Sequence, residues 1–197
     1  MIKKPSKTSN LIDDFILTSH LHFLMVEYIP YNSGVHKDEV ESLYSVHILE
    51  VANHFTQSYQ LDVLASLDQP LHKHVEEQVK PFTNLSASDG VFYIIEVEGK
   101  AAGMGLIRKI GDNLGEIRLM YNRPEYRGFG YGKGMVKRLL EYGVKLGLST
   151  VYLSTYKWMA VAQHIYRSAG FKERDAYPEA EPYRKNWKNL KFMEKKL

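Results

Sequence analysis

The run Arg127-Gly128-Phe129-Gly130-Tyr131-Gly132-Lys133-Gly134 places four glycines in seven positions, between a strand-like segment and a helix-like one. A turn stripped of side chains lets backbone N–H groups close on a large anion at the positive end of a helix, and Arg127 supplies charge beside it. The chemistry this suggests is the holding of a phosphate-bearing cofactor. Two familiar phosphate loops fail on register. A P-loop ends in Gly-Lys-Ser/Thr with a further glycine five places upstream, but reading back from Gly132-Lys133 puts Arg127 at that glycine and Gly134 where the hydroxyl belongs. A dinucleotide fingerprint, G-x-G-x-x-G/A, ends on Lys133 if it starts at Gly128 and on Met135 if it starts at Gly130.

What remains is Arg-x-x-Gly-x-Gly, formed by Arg127, Gly130 and Gly132 within NRPEYRGFGYGKGMVKRLL. Upstream lies Gly115-Glu116-Ile117-Arg118-Leu119-Met120-Tyr121, and downstream Ala162-x-x-x-Tyr166-x-x-x-Gly170-Phe171. In order, spacing and element type, residues 90 to 175 resemble the GNAT superfamily of N-acetyltransferases. The resemblance implies acetyl-CoA as acyl donor, with its pyrophosphate held by Arg127, Gly128, Phe129, Gly130, Tyr131, Gly132 and Lys133. It also implies a mixed α/β (α+β) fold, a mostly antiparallel central sheet flanked on both faces by helices. In such proteins the strand before the loop bulges and offers N–H groups to the acyl oxygen and the pantetheine arm; by register these are Met120, Tyr121 and Asn122. Asn122 departs from the usual apolar residue, and Met159 stands where relatives commonly carry an asparagine on the cofactor.

Amine acetylation requires that the acceptor lose a proton, that the thioester carbonyl be polarised and that the departing thiolate be protonated. Tyr166 suits the last task. It lies one helical step from Ala162 and from Gly170, small residues that leave room for the thiol, and family members often use this tyrosine as general acid; its structural alternative is a core aromatic. Glu116, eleven residues before Arg127, matches the glutamate base of the lysine-acetylating branch. The alternative is a strand residue paired with Arg118 or a neighbouring cation. Without cysteine no covalent thioester intermediate forms on the enzyme, so transfer is direct. Two function classes stay open: an N-acetyltransferase acting on a primary amine, small-molecule or protein, or a non-catalytic acyl-CoA-binding sensor of the same fold.

Composition bounds these readings. A chain of 197 residues with 44% hydrophobic content is one globular domain. The lack of cysteine excludes disulfides and zinc-thiolate sites. A net charge of +3 is too slight to argue for nucleic acid, and the basic start MIKKPSKTSN leads into no apolar signal core, so a cytoplasmic protein without membrane association is expected, with a homodimer left open. His20-x-His22 and His72-x-His74 have ligand spacing but no convincing third ligand, so no metal is expected. Glu173, Asp175, Glu179 and Glu181 form an acidic loop that either steers a cationic acceptor or merely solvates the surface.

The elements that must position these groups follow from periodicity. Residues 1–20 read as a polar extension and 23–29 as a first strand. Helices are expected over 38–57, where apolar residues recur at helical spacing, and over 72–79, stopping before Pro81. Val91–Val97 and Ala101–Lys109 flank Glu98-Gly99-Lys100 as a hairpin. Leu114–Asn122 is the strand entering the glycine loop, Gly132–Leu146 the helix leaving it, Thr150–Thr155 a strand, Val161–Ala169 a helix and Leu190–Lys195 a closing strand. Strand runs before and between helices imply a mixed sheet with helices on both sides.

Overall fold

The computed structural model describes residues 25–178 and 188–197. Among them seven strands form one sheet: β1 (Val26–Pro30), β2 (Gly90–Val97), β3 (Lys100–Gly111), β4 (Leu114–Asn122), β5 (Thr150–Tyr156), β6 (Lys172–Arg174) and β7 (Leu190–Lys196), in the order β1-β2-β3-β4-β5-β7-β6. Every neighbouring pair is antiparallel except β4 with β5. The expected mixed, mostly antiparallel sheet is present. The short β6 was not anticipated from sequence, because three residues are too few for a readable alternation.

Helices α1 (Ser33–Tyr59) and α2 (Leu71–Thr83) cover one face, packing Val40, Leu43, Val75, Val79 and Phe82 against Phe92, Ile94, Met104 and Leu106. Helices α3 (Tyr131–Lys145) and α4 (Ala160–Ser168) cover the other, where Met135, Val136, Leu139 and Tyr166 meet Ile95, Ile107, Ile117, Val151 and Leu153. Full burial of side chains such as Met135 and Leu139, each 0% exposed, stabilises by about 1.5–3 kcal/mol apiece. Asn32 starts α1 by accepting from the Gly34 N–H at 2.9 Å, and Gln60 ends it in the left-handed region at φ 55°. The hairpin turn uses positive φ at both Glu98 (51°) and Gly99 (74°), the primed geometry that matches strand twist.

Helix α2 corrects one expectation, since it runs through Pro81 to Thr83. The proline removes a bond to the carbonyl of Glu77, four residues back. Both residues are exposed, so water serves that carbonyl, while Phe82 beyond is buried.

The parallel β4–β5 pairing stops at Ile117 opposite Leu153. Beyond it, residues 118–122 and 154–156 have no mutual register, and the sheet opens into a splay. Against β3 the register jumps from Leu106–Arg118 to Met104–Tyr121, so Leu119 and Met120 together oppose Gly105, and Leu119 takes φ 52°. This is a bulge, which re-aims the strand at the splay. A further glycine, Gly103, lets β4 rejoin the ladder closely: a Cβ there would stand 2.6 Å from the Tyr121 carbonyl oxygen and 2.6 Å from the Asn122 side-chain amide. Gly103→Ala is expected to cost about 1–3 kcal/mol by overpacking against backbone, read as a lower denaturant midpoint with unchanged m-value. A midpoint equal to that of the native chain would show that β4 yields freely there.

Candidate active site

A cavity of about 130 Å³ fills the splay. Arg118, Leu119 and Met120 of β4 form one wall and Ser154, Thr155 and Tyr156 of β5 the other; Tyr166 and Ala162 of α4 close it on one sheet face, Tyr44 and His47 of α1 on the opposite face. Strand divergence thus opens a passage through the sheet. Tyr166 is 5% exposed, and burial pushes its hydroxyl well above the ordinary tyrosine value, so it keeps its proton. Met120, at the bulge, is the member of the expected carbonyl-polarising set that meets Tyr166 across this cavity.

Tyr121 and Asn122 are placed differently. Both have returned to register with β3. The Tyr121 side chain turns to the α1 face, where its hydroxyl donates to Glu50 at 3.1 Å. The Asn122 amide, oriented to satisfy both ends, donates to the Tyr121 carbonyl at 2.8 Å and accepts from the Gly132 N–H at 3.2 Å. The residue that departs from the family's apolar preference therefore caps the first turn of α3.

Gly128 (φ 87°) and Gly130 (φ 83°) both occupy the left-handed region, and a Cβ on either would meet nothing within 4 Å. The loop from Gly128 to Lys133 is consequently an open backbone cradle ending at the N-terminus of α3, a shape that fits a pyrophosphate. Phe129 stands 61% exposed above it, stacked on Tyr131 at 5.7 Å, and Lys133 is exposed. Gly134, the fourth glycine, answers to packing instead. Its position would be overlapped by a side chain, because the Tyr28 ring crosses it to donate to the Tyr131 carbonyl at 3.0 Å.

Two charged residues are engaged elsewhere. The Arg127 guanidinium meets both Glu50 oxygens at 2.7 and 2.9 Å, while its Nε donates to the Asn122 carbonyl at 3.0 Å. It ties α1 to the glycine loop. Glu116 is 1% exposed: Arg108 Nη2 and Nε donate to one oxygen at 2.8 and 3.1 Å, and the Tyr177 hydroxyl donates to the other at 2.9 Å. Glu116 does not line the cavity. This geometry is the paired-strand alternative, with Arg108 rather than Arg118 as the cation.

Sequence reading passed over His47. It falls four residues after Leu43 and four before Val51, on the apolar stripe of α1, and a polar residue on such a stripe was the available signal. Burial pushes its imidazole down to about 4, with Arg127 adding to the fall and Glu50 opposing it, so the ring is neutral near pH 7. Its buried Nδ1 has no hydrogen-bond partner. Met159 lines the cavity and accepts a 3.8 Å contact from the Thr155 hydroxyl. Trp158 stacks on His54 with ring centroids 4.0 Å apart.

In the acidic loop, Glu173 is bound by Arg167 at 2.9 Å and Lys191 at 2.8 Å, hydrogen bonds that hold its carboxyl below the ordinary range. Glu179, Glu181 and His20-x-His22 lie outside the described residues. Among the described residues no cluster of three or more His, Cys, Asp or Glu is placed to hold a metal, and no helix is long and apolar enough to cross a membrane.

The site is thus a splayed β4–β5 pair beside a glycine loop that opens α3. Residues 49–171 match the acetyltransferase (GNAT) family, and the chain belongs to that family. It is 31% identical over 104 residues to an uncharacterized N-acetyltransferase of Schizosaccharomyces pombe, covering 52% of this chain and 64%, just under two thirds, of that relative. A GNAT-family acetyltransferase of Staphylococcus aureus superposes over 88% of this chain and 99% of its own, with a TM-score of 0.64 at 18% identity. YncA from Salmonella typhimurium, determined with its cofactor acetyl-CoA, superposes over 87% and 94% with a TM-score of 0.59 at 15% identity. At these identities the structural likeness speaks for the fold.

Proposed function

We propose that this protein is an acyl-CoA N-acyltransferase that moves an acetyl group from acetyl-CoA directly to a primary amine. The observation that carries the reading is the meeting of the Met120 bulge and the protonated Tyr166 in one cavity, beside the open cradle of Gly128–Lys133. Acetyl-CoA would supply a thioester whose carbonyl is open to attack. The cradle N–H groups hold its pyrophosphate, so binding falls on backbone, with Arg127 bracing the loop from Glu50. Met120, at the bulge, would offer its N–H to the developing oxyanion. Tyr166 gives its proton to the sulfur as the C–S bond breaks. The amine attacks in its neutral form and loses its proton to solvent at the cavity mouth, while neutral His47, on the same cavity wall, is placed to hydrogen-bond it.

The deciding experiment measures thiol release from acetyl-CoA against a panel of primary amines. Acetylated amine and free thiol in equal amounts support transfer; acetyl-CoA binding by calorimetry with no turnover on any amine would favour a sensor instead. The cradle has its own test. Gly130→Asp places a carboxylate at the mouth of the cradle; the added Cβ meets nothing, and holding it at φ 83° costs about 1–2 kcal/mol, so the variant should still unfold cooperatively at a somewhat lower midpoint while acetyl-CoA affinity drops by about 10²-fold or more. Unchanged affinity would remove this loop from the cofactor site.

A further inference from the structure

We propose that the outer face of the Phe129 ring is a stacking platform for the adenine of the acyl-CoA donor; this rests on the reading of Gly128–Lys133 as the pyrophosphate cradle. A solitary exposed apolar side chain is common on protein surfaces and carries no meaning by itself. Phe129 differs in where it stands and in how it is held.

The elements around the cradle set the course of the donor. Ala162 and Tyr166 of α4 line the cavity, and Ile165 on the same helix abuts the first turn of α3, where a Cβ on Gly132 would lie 3.5 Å from Ile165 Cδ1. Cavity and cradle are therefore neighbours along α4. With a pyrophosphate in the cradle and the thioester at Tyr166, the pantetheine arm is directed toward α4. The adenosine is joined to the other end of the pyrophosphate, so its base lies one ribose beyond the cradle, on the side away from that arm. Phe129, 61% exposed, stands on the solvent rim of the loop.

The residues on either side of it are glycines at φ 87° and 83°, so neither neighbour brings a side chain that could crowd the ring. Its direction comes from Tyr131: the two rings stack with centroids 5.7 Å apart and planes 20° from parallel. Tyr131 is only 8% exposed, packs in the core with Met135 and Val136, and accepts from the Tyr28 hydroxyl at its carbonyl, 3.0 Å away. One face of Phe129 is thus fixed against a core residue while the other is left to solvent beside the phosphate site. A flat ring held this way is pre-organised for a second flat ring, and little side-chain entropy remains to be lost when one arrives. Adenine supplies that ring, and stacking asks for no hydrogen-bond partner.

Calorimetry with acetyl-CoA tests the platform without turnover. Phe129→Ala and Phe129→Leu should each weaken binding by about 5- to 150-fold, the scale of one base on one aromatic ring, whereas Phe129→Trp should stay within about threefold of the native chain. Leucine keeps apolar bulk and removes the π face, so it separates stacking from ordinary packing of the loop. Proton NMR adds a signature that loop packing does not give. On the native chain the adenine H2 and H8 resonances of bound acetyl-CoA should move upfield in the ring current of Phe129, and in saturated Phe129→Leu that movement should be lost. Cooperative unfolding near the native midpoint establishes that each variant is folded, as expected for so exposed a side chain. Native affinity in Phe129→Ala, a loss in Phe129→Ala that Phe129→Leu restores, or adenine resonances that do not move upfield on the native chain overturns the platform and leaves the cradle to the Gly130→Asp test. Failure of the native chain to bind acetyl-CoA overturns both.

Discussion

Replacing Tyr166 with phenylalanine is expected to lower kcat by about 10²- to 10⁴-fold, the range for one general acid. The ring survives, so its packing against Phe171, 6.0 Å away, should survive too, and acetyl-CoA affinity should barely move. The pH behaviour has a definite sign. Burial raises the hydroxyl above its ordinary value of 10.0, so the protonated donor persists through neutral and mildly alkaline conditions. Tyr166 therefore should not impose a falling limb on the wild-type profile there. A Tyr166→Phe enzyme with near-normal kcat would mean that water protonates the thiolate.

The second large effect belongs to Glu116 and is one of stability. Glu116→Ala would strip Arg108 and the Tyr177 hydroxyl of their shared acceptor in a site where the carboxylate is 1% exposed. Breaking a buried pair from one side costs about 3–5 kcal/mol, which urea unfolding would report as a large fall in midpoint. Glu116→Gln, which can still accept from Tyr177, should lose less and leave the shape of the kcat/KM profile against pH intact. The opposite pattern, an unaltered midpoint with the acidic limb lost, would restore Glu116 as the proton acceptor.

Those two residues mark how far the chain can be read unaided. The strand Leu114–Asn122 was legible to the residue and the helix after the glycine loop, expected over 132–146, to within one residue of its observed 131–145, because side-chain pattern and glycine spacing are local properties. That Tyr166 and Ala162 share one helix face was legible from their spacing, and both line the cavity. The partners of Glu116 and Arg127 were not. Their partners, Tyr177 and Glu50, lie 61 and 77 residues away along the chain, and only the packing of α1 and the 172–178 segment brings them together. The bulge fell at Leu119–Met120, one residue before the expected set, because its position is decided by a glycine on the facing strand, Gly105. Pro81 misled as a helix stop because a local rule was applied where solvent could serve the freed carbonyl. His47 went unassigned for a related reason: which cavity a side chain joins depends on where two strands part.

The Glu50 bridge to Arg127 and Tyr121 joins the two halves of the site mechanically. One carboxylate steadies both the helix that bears His47 and the loop that precedes α3, so ligands on the two sides cannot bind as strangers. Whatever an acyl donor does to the Arg127–Glu50 contact changes how firmly α1 presents its wall to the acceptor. Thermodynamic reciprocity then requires the acceptor to alter donor affinity by the same factor. Calorimetry reads that linkage directly: in Glu50→Gln the factor by which acetyl-CoA changes the acceptor's affinity is expected to fall toward one, and an unchanged factor would show that the two sides are not joined through this carboxylate.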